Sequence, residues 1–269
     1  MSTLATKQAR QPLVECRGVS VGYDDRPVLE HIDLSIHPGE IVALLGGSGC
    51  GKSTLLRTLT GLLPPLAGEV LLLGESLYEV PFEQRNQLLR RTGTAFQQDA
   101  LFGSMTVEDN VALPLRELTQ LPESIILEMV RMRLGLVGLS GMEQRSPTTM
   151  SGGQRKRAAL ARASILDPEV MFCDEPSAGL DPAVAAGIDD TLRRFRAALE
   201  VTLIVVTHEL ESIRTIADRA VMFGHGTICA DGSIDELMSC TDDEVYNFFH
   251  RVAEAPTPST ALDSHTRQP

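Results

Sequence analysis

Apolar residues follow two alternating patterns along the chain. Short continuous apolar runs at residues 41–45, 170–173 and 201–206 are typical of strands buried on both faces of a sheet. Between these runs apolar residues recur at helical spacing, as over residues 54–60 and 182–199. Strands that alternate with helices in this way predict an α/β fold with a parallel sheet.

Two parts of the chain depart from this alternation. Residues 13–23 and 28–36 predict consecutive strands before the first buried run. Residues 100–150 carry helix-like apolar spacing and, at 138–149, a loop with Gly and Ser, which together predict a helical insertion between strands of the sheet. A docking face for a partner and an ordinary helical core are equally open interpretations of this insertion.

The same patterns predict the remaining elements. These are strands at 68–73 and 93–96, a helix at 81–91, two edge strands within 219–230, and short helices at 233–239 and 242–251. The last helix carries an apolar face at i, i+3, i+4 and i+7, formed by Val245, Phe248, Phe249 and Val252. Packing on the chain's own lobe is the simplest interpretation of that face. Residues 254–269, rich in Pro, Thr and Ser, predict a flexible tail.

Composition narrows the class of protein. The 269 residues suffice for one large domain or two small ones. A formal charge of −12 argues against duplex nucleic acid as the main ligand. The five cysteines include no C-x-x-C pair, which fits free thiols in a reducing cytosol. No apolar stretch approaches the ~18 residues of a membrane span, and residues 1–10 lack the apolar core of a signal peptide.

A glycine-rich loop lies between the first buried run and the following helix. It matches the phosphate-binding pattern G-x-x-x-x-G-K-[ST], in which backbone N–H groups and a helix N-terminus surround phosphate oxygens. In this pattern the Lys reaches the β- and γ-phosphates, and the first hydroxyl binds Mg²⁺. The loop residues are Gly46, Gly47, Ser48, Gly49, Cys50, Gly51, Lys52, Ser53 and Thr54. The chain is therefore predicted to bind a nucleoside triphosphate.

Polar side chains follow other predicted strands. Asp174 and Glu175 end a buried strand, where an acidic pair is costly to bury without a cation, so Asp174 is a candidate Mg²⁺ ligand and Glu175 a candidate base. His208 ends the next strand and is expected on the same rim of a parallel sheet. Gln97 is either a metal or water contact or a surface amide. Tyr23 is either a base-stacking ring or ordinary packing.

A second candidate anion site opens the helix predicted near residue 150. Ser151, Gly152, Gly153 and Gln154 combine a hydroxyl, free N–H groups and a helix N-terminus, without a Lys. One nucleotide does not easily occupy both of these separate phosphate sites within one chain. Both sites can be used if two chains share each nucleotide.

These motifs, in this order, resemble ABC-transporter ATP-binding subunits. They resemble the Walker A loop at 46–54, the Q-loop at Gln97, the signature at 151–154, the Walker B strand at 170–175 and the H-loop at His208. The remaining resemblance is to the D-loop, formed by Ser177, Ala178, Gly179, Leu180 and Asp181. Met150 stands where Leu is usual and Cys173 lies in the Walker B strand, but both stay apolar.

A finer resemblance is carried by residues 96–102, 110–116 and 158–163. These stretches resemble the ATPases of bacterial MCE-linked, Mla-type lipid transporters, which move phospholipid between the inner and outer membranes. This finer resemblance rests on a region that docks a permease rather than on residues that carry the chemistry. Residues 248–256 resemble a C-terminal extension that crosses to the partner copy and borders the site of a small regulatory subunit.

The resemblance implies a complete set of expectations. An ABC ATPase domain is expected at 13–240, with an antiparallel β-subdomain and a helical subdomain inserted at about 98–165, between extensions at 1–12 and 241–269. Two copies would close head-to-tail over two ATP molecules, each shared with the other copy's signature. Ser53, Gln97 and Asp174 would hold Mg²⁺, Glu175 would be the general base, His208 would contact the γ-phosphate, and Tyr23 would stack on the base.

Partners and location follow from the same resemblance. The implied partners are a second copy, an integral membrane permease, an MCE-type lipid-binding protein and a small regulatory subunit, at the cytoplasmic face of the bacterial inner membrane. One alternative is a transporter ATPase for another substrate class. Another is a soluble ABC ATPase that acts on DNA or ribosomes, although such proteins usually carry two motif sets or a long coiled coil.

Overall fold

The structure is a computed structural model, and it describes residues 11–250. The strands are β1 (Val14–Tyr23), β2 (Arg26–Ile36), β3 (Ile41–Gly46), β4 (Ala67–Leu72), β5 (Glu75–Ser76), β6 (Thr92–Ala95), β7 (Val170–Asp174), β8 (Thr202–Val206), β9 (Arg219–Gly224) and β10 (Thr227–Gly232). The helices are α1 (Lys52–Leu59), α2 (Phe82–Arg90), α3 (Val107–Leu118), α4 (Glu123–Leu136), α5 (Gly152–Ser164), α6 (Pro182–Leu199), α7 (Leu210–Ile216), α8 (Ile234–Met238) and α9 (Asp243–His250).

The central sheet has the strand order β10-β9-β3-β8-β7-β6. β9, β3, β8, β7 and β6 are parallel, and β10 adds an antiparallel edge. The register pairs Leu44 of β3 with Val206 of β8, and Val206 with Asp174 of β7. The carboxyl ends of neighbouring strands therefore lie side by side, which is the edge where α/β sheets bind ligands.

A second, antiparallel sheet has the order β2-β1-β4-β5. Its apolar face packs on α1 and the central sheet, since Leu29 and Ile32 share a buried cluster with Leu55, Leu59 and Phe172. This sheet fixes the phosphate loop between two layers of the core. The prediction of an antiparallel β-subdomain is confirmed.

A helical insertion separates β6 from β7. The chain leaves the central sheet after Ala95 and returns at Val170, and between them run α3, α4 and α5. Their buried residues, such as Val111 and Leu134, share one cluster with Val205 of the central sheet. The α/β fold with an inserted helical subdomain, predicted from the apolar pattern, is confirmed.

One prediction at the C-terminal side is wrong. Residues 219–230 do not form two edge strands, because β9 pairs with β3 on one side and with β10 on the other. The short helix α7 was not predicted.

The face of α9 packs on the chain's own lobe: Val245 and Phe249 are 0% and 3% exposed in a cluster with Leu210 and Met222. Val252 and most of the stretch 248–256 lie outside the described residues.

Candidate nucleotide-binding and hydrolysis site

The predicted phosphate loop connects β3 to α1. Gly46, Gly49 and Gly51 have φ values of 142°, 78° and 105°, a backbone region that favours glycine. Gly46 also touches the end of β9, because a Cβ at this position would lie 2.4 Å from the carbonyl oxygen of Phe223. The glycines thus serve both the tight turn and its close approach to the sheet.

Lys52 is held inside this loop. It is 9% exposed, and its Nζ donates to the carbonyl oxygens of Gly46 at 2.8 Å and Gly47 at 2.9 Å. Nζ also lies 3.5 Å from the Sγ of Cys50. Ser53 follows on the first turn of α1 and is exposed. A compact cation and an accessible hydroxyl at a helix N-terminus form a site for an anion such as phosphate.

Four adjacent parallel strands bring the other predicted groups to the same edge. In the central sheet these strands have the order β3-β8-β7-β6. The phosphate loop follows β3, His208 follows β8, Glu175 follows β7 and Gln97 follows β6. The Nδ1 of His208 lies 2.8 Å from Oε1 of Glu175. One Glu175 oxygen is therefore engaged by the imidazole, whereas Oε2 is buried without a hydrogen-bond partner in the described residues.

Asp174 is the acidic group best placed for a cation. Its Oδ1 is buried without a hydrogen-bond partner among residues 11–250. Burial and the neighbouring charge of Glu175 raise its pKa, against the opposing charges of Arg57, Lys156 and Lys52. A carboxyl group with an unpaired buried oxygen fits a Mg²⁺ ligand, since Mg²⁺ is usually bound by one or two carboxylates together with substrate phosphates. Across the same residues no group of three or more His, Cys, Asp or Glu side chains forms a metal site.

Tyr23 and Gln97 are both exposed, but they follow strands of different sheets, Tyr23 in the antiparallel sheet and Gln97 in the central sheet. Tyr23 ends β1 with 44% of its surface exposed, and its hydroxyl accepts a hydrogen bond from Nη1 of Arg57 at 2.6 Å. Arg57 thus holds the phenol while the ring remains accessible for stacking. Gln97 follows β6, and its backbone carbonyl accepts a hydrogen bond from Lys156.

The signature segment begins α5 with a capping box. The Ser151 hydroxyl accepts from the N–H of Gln154 at 3.3 Å, and the Gln154 side chain accepts from the N–H of Ser151 at 3.1 Å. Ser151 is exposed. The segment is thus ordered by its own residues and presents its helix N-terminus outward. The nearby guanidinium of Arg155 donates to the Met150 carbonyl oxygen at 2.8 Å and pairs with Asp99 at 3.4 Å.

The D-loop lies next to the signature. Leu180 approaches Gly152 so closely that a Cβ on Gly152 would lie 3.2 Å from the Leu180 side chain. Asp181 caps α6, because its carboxylate accepts from the N–H of Val184 at 3.1 Å. Ser177 is buried, Ala178 is half-buried and Gly179 is exposed.

Sequence reasoning missed Lys156 and Asp99. Both are buried, and they lie 3.4 Å apart between α5 and the Q-loop. The available signal was the rarity of lysine: the chain contains only Lys7, Lys52 and Lys156 among 24 Lys and Arg residues.

Residues 29–178 match the family described as ABC transporter. The chain belongs to the ABC transporter family. This ABC ATPase is similar to the "Intermembrane phospholipid transport system ATP-binding protein MlaF" of Haemophilus influenzae, with 37% identity over 91% of this chain and 93% of that protein. It is also similar to the "Probable ribonucleotide transport ATP-binding protein mkl" of Mycobacterium leprae, with 38% identity over 88% of this chain and 68% of that protein.

A solved structure extends the comparison. The ABC ATPase is similar to an ATP-binding cassette solved as a dimer in a post-hydrolysis state with ADP and Pi, with a TM-score of 0.75 and 27% identity over 82% of this chain and 98% of that one. The predicted ABC ATPase, its activity as an ATP-hydrolysing transporter subunit, and its resemblance to Mla-type ATPases are confirmed. Within residues 11–250, no helix combines the length and apolar character needed to cross a membrane.

Proposed function

We propose that this ABC ATPase supplies the energy for phospholipid transport between bacterial membranes. The observation that carries the ATPase chemistry is the alignment of four functional segments at the carboxyl ends of β3, β8, β7 and β6. The substrate class rests on the similarity to MlaF. The mkl name supports the alternative of another substrate class, a ribonucleotide.

Each candidate site residue has a separate role in the proposed reaction. Lys52 and the loop N–H groups bind the phosphates, and Tyr23 stacks on the adenine. Ser53, Gln97 and Asp174 hold Mg²⁺, which when bound neutralises charge on the transferred phosphoryl group. Glu175 accepts a proton from the attacking water.

The contacts of Glu175 support this role. Its Oε1 lies 2.8 Å from Nδ1 of His208, and its Oε2 has no hydrogen-bond partner within residues 11–250, which supports Glu175 as the group that accepts the proton. The same contact supports a position of the imidazole close to the γ-phosphate of a nucleotide bound at the phosphate loop. His208 thereby orients the base and contacts that phosphate.

We also propose that two copies share each nucleotide. Within residues 11–250, neither Lys52 nor Lys156 is directed at the exposed N-terminus of α5 at Ser151. This N-terminus would therefore complete a site when a nucleotide bound to another chain reaches it. The similar cassette solved as a dimer with ADP and Pi supports this arrangement. It also resolves the problem of two phosphate sites in one chain.

A groove supports the proposed permease partner. It has a volume of about 640 Å³ and lies between α2, β6 and the helical insertion. Its lining includes Phe96, Phe102, Leu113 and Pro114, from two of the stretches that carry the finer resemblance. Phe96 and Phe102 are 42% and 51% exposed, and exposed aromatic rings in a groove are typical of a protein interface.

The finer assignments complete the proposal. The ATPase would bind the permease at the cytoplasmic face of the inner membrane, with an MCE-type lipid-binding protein and a small regulatory subunit in the same complex. The ABC domain would span 13–240, with the helical subdomain at about 98–165 and extensions at 1–12 and 241–269. Because α9 packs on its own lobe, a contact with the partner copy would come from residues beyond it.

Purification and reconstitution test this proposal. The full-length chain, affinity-tagged and extracted in mild detergent with its membrane partners, should copurify with a permease and support ATP-dependent transfer of labelled phospholipid between vesicles. The same complex with Glu175→Gln should assemble but transfer no lipid. ATPase stimulation by ribonucleotides without lipid transfer would favour the other substrate class. Copurification with ribosomes or DNA, without a permease, would favour a soluble ABC ATPase.

A further inference from the structure

Lys156 joins three segments of the molecule that are distant in sequence. It lies on α5, five residues after Ser151, and is 8% exposed. Its Nζ donates to the backbone carbonyl oxygen of Gln97, and to that of Glu175 at 3.4 Å. The same nitrogen lies 3.4 Å from Oδ1 of Asp99. One buried ammonium therefore contacts the Q-loop twice and the catalytic segment once.

The charge of Lys156 is balanced where it is buried. An isolated buried ammonium is costly, and here Asp99, 8% exposed, supplies the opposite charge. Arg155 also pairs with Asp99, at 3.4 Å, and donates to the Met150 carbonyl oxygen at 2.8 Å. Within residues 11–250, Arg155 makes no hydrogen bond or ion pair with Gln97 or Glu175. Arg155 therefore shares with Lys156 the pairing with Asp99 but not the contacts with the two carbonyl oxygens. A variant at Arg155 can thus serve as a control for the loss of the pairing alone.

The backbone of Glu175 needs external support. Its φ of 47° lies in the left-handed region, which costs energy for a residue other than glycine. Its N–H donates to the Val206 carbonyl oxygen at 2.9 Å, and its own carbonyl oxygen accepts from Ala178 at 3.2 Å and from Lys156. The direction of the Glu175 side chain depends on this peptide orientation, so Lys156 helps to aim the carboxylate.

We propose that Lys156 is a positioning residue that couples the signature helix to the hydrolysis site of its own chain. A movement of α5, whose N-terminus carries Ser151, is transmitted by the ammonium to the carbonyls of Gln97 and Glu175. The hydrogen bonds and ion pair described for Lys156 join it to Gln97, Glu175 and Asp99 and not to the phosphate loop, so we expect its loss to affect the hydrolysis step more than the affinity for ATP. This inference rests on the role proposed for Glu175.

The test replaces Lys156 by methionine, which keeps the length of the side chain but removes its donors and charge. In steady-state ATPase assays of the full-length chain, Lys156→Met should lower kcat by about tenfold, because small displacements of a catalytic group are costly, and should leave KM for ATP within about twofold. The matched control Arg155→Met should keep kcat within about twofold of wild type.

A double variant separates positioning from charge burial. Lys156→Met alone leaves Asp99 without its nearest buried cation, whereas Lys156→Met with Asp99→Asn removes both charges. The double variant should recover the thermal stability lost by the single variant but not its kcat. Recovery of kcat together with stability would overturn the proposal, as would an unchanged kcat in Lys156→Met or an equal loss in Arg155→Met.

A parallel Glu175→Gln arm separates this inference from the proposed chemistry. If Glu175→Gln hydrolyses ATP normally, the role of Glu175 is wrong, and with it the basis of the proposed coupling. If Glu175→Gln is inactive while Lys156→Met is normal, the base is correct and only the positioning role of Lys156 fails.

Discussion

The two candidate phosphate sites of this ABC ATPase share a helix N-terminus but differ in what surrounds it. At the phosphate loop, Lys52 is buried and held by two loop carbonyls. At the signature, Ser151 and Gln154 satisfy each other in an exposed capping box. The lysine nearest to the signature in sequence, Lys156, is turned into the core toward the Q-loop.

This difference predicts separate roles for the two sites, nucleotide binding for the phosphate loop and closure of two copies for the signature. The phosphate loop contains its own cation and therefore binds a nucleotide within one chain. The signature offers N–H groups and a hydroxyl, while the guanidinium of neighbouring Arg155 is engaged by the Met150 carbonyl oxygen and Asp99. These groups contribute once another surface brings the phosphate to them. The first site is expected to set the affinity for ATP, and the second the assembly of the closed pair.

Glu175→Gln should give the largest effect, because it removes the base while leaving both phosphate sites intact. Hydrolysis should fall by about 10²–10⁴-fold, with ATP affinity retained and a closed pair trapped in ATP. Steady-state ATPase assays and size-exclusion chromatography with ATP measure both quantities. Near wild-type hydrolysis by the variant in its native complex would show that Glu175 is not the base.

Lys52→Ala and Ser151→Ala should separate the two sites. Loss of the ammonium at Lys52 should weaken ATP binding about 10–100-fold, since hydrogen bonds to charged groups contribute roughly 1.5–3 kcal/mol. Ser151→Ala should leave the affinity of the single chain unchanged and impair only closure with ATP. Calorimetric titration of the monomer checks this, and equal losses of affinity in both variants would remove the distinction.

Cys50 gives a chemical test of the same contrast. Its Sγ lies 3.5 Å from the ammonium of Lys52 in the half-buried loop, whereas burial raises the pKa of Cys16 and Cys173 to about 12. Because Cys50 is more accessible than the buried Cys16 and Cys173 and lies within the phosphate loop, its alkylation should inactivate the ATPase and ATP should protect it. Mass spectrometry locates the adduct. Inactivation that persists in Cys50→Ala would assign the effect to another cysteine.

Asp174→Asn should give the smallest effect. It should show how much the buried carboxylate of this candidate metal ligand destabilises the folded chain. Burial raises the pKa of Asp174 in the folded chain. The contribution of Asp174 to the free energy of unfolding is therefore fully present below the pKa that it has in the unfolded chain. This contribution is lost as the pH rises through the pKa that Asp174 has in the folded chain. Without nucleotide, the Asn variant should melt about 1–3 °C above wild type at high pH, and the gap should close as pH falls.

The control for this prediction is stabilisation by Mg²⁺ and ATP. Wild type should gain more in Tm from Mg²⁺ with ATP than Asp174→Asn does, because only the carboxylate balances the cation. A gap in Tm that narrows as pH rises would contradict the direction of the pKa shift.

Elements buried on both faces were predictable because their apolar runs have one interpretation. β3, β7 and β8 lie within one residue of the predicted ranges. The interior position of β9 was not predictable, since it depends on pairing with β3, far away in sequence. The seven-residue helix α7 carries too few apolar positions to show a period.

The site shows the same limit. Motif order predicted which residues lie at the sheet edge, because each follows a strand. The role inferred for Lys156 could not be predicted, since it depends on contacts with the backbone carbonyl oxygens of Gln97 and Glu175, and a backbone carbonyl carries no signature in the sequence. Only the fold brings these oxygens to α5.

The contact of Gly46 with β9 bears on how inactive alleles of this gene should be built. Any side chain at this position would meet the Phe223 carbonyl oxygen before it met a nucleotide. A Gly46→Ala allele would therefore confound loss of ATP binding with a displaced strand, and its phenotype would mix absence of the protein with absence of turnover. Geneticists who need a full-length, assembled but idle subunit are better served by Glu175→Gln, whose side chain keeps nearly the same shape.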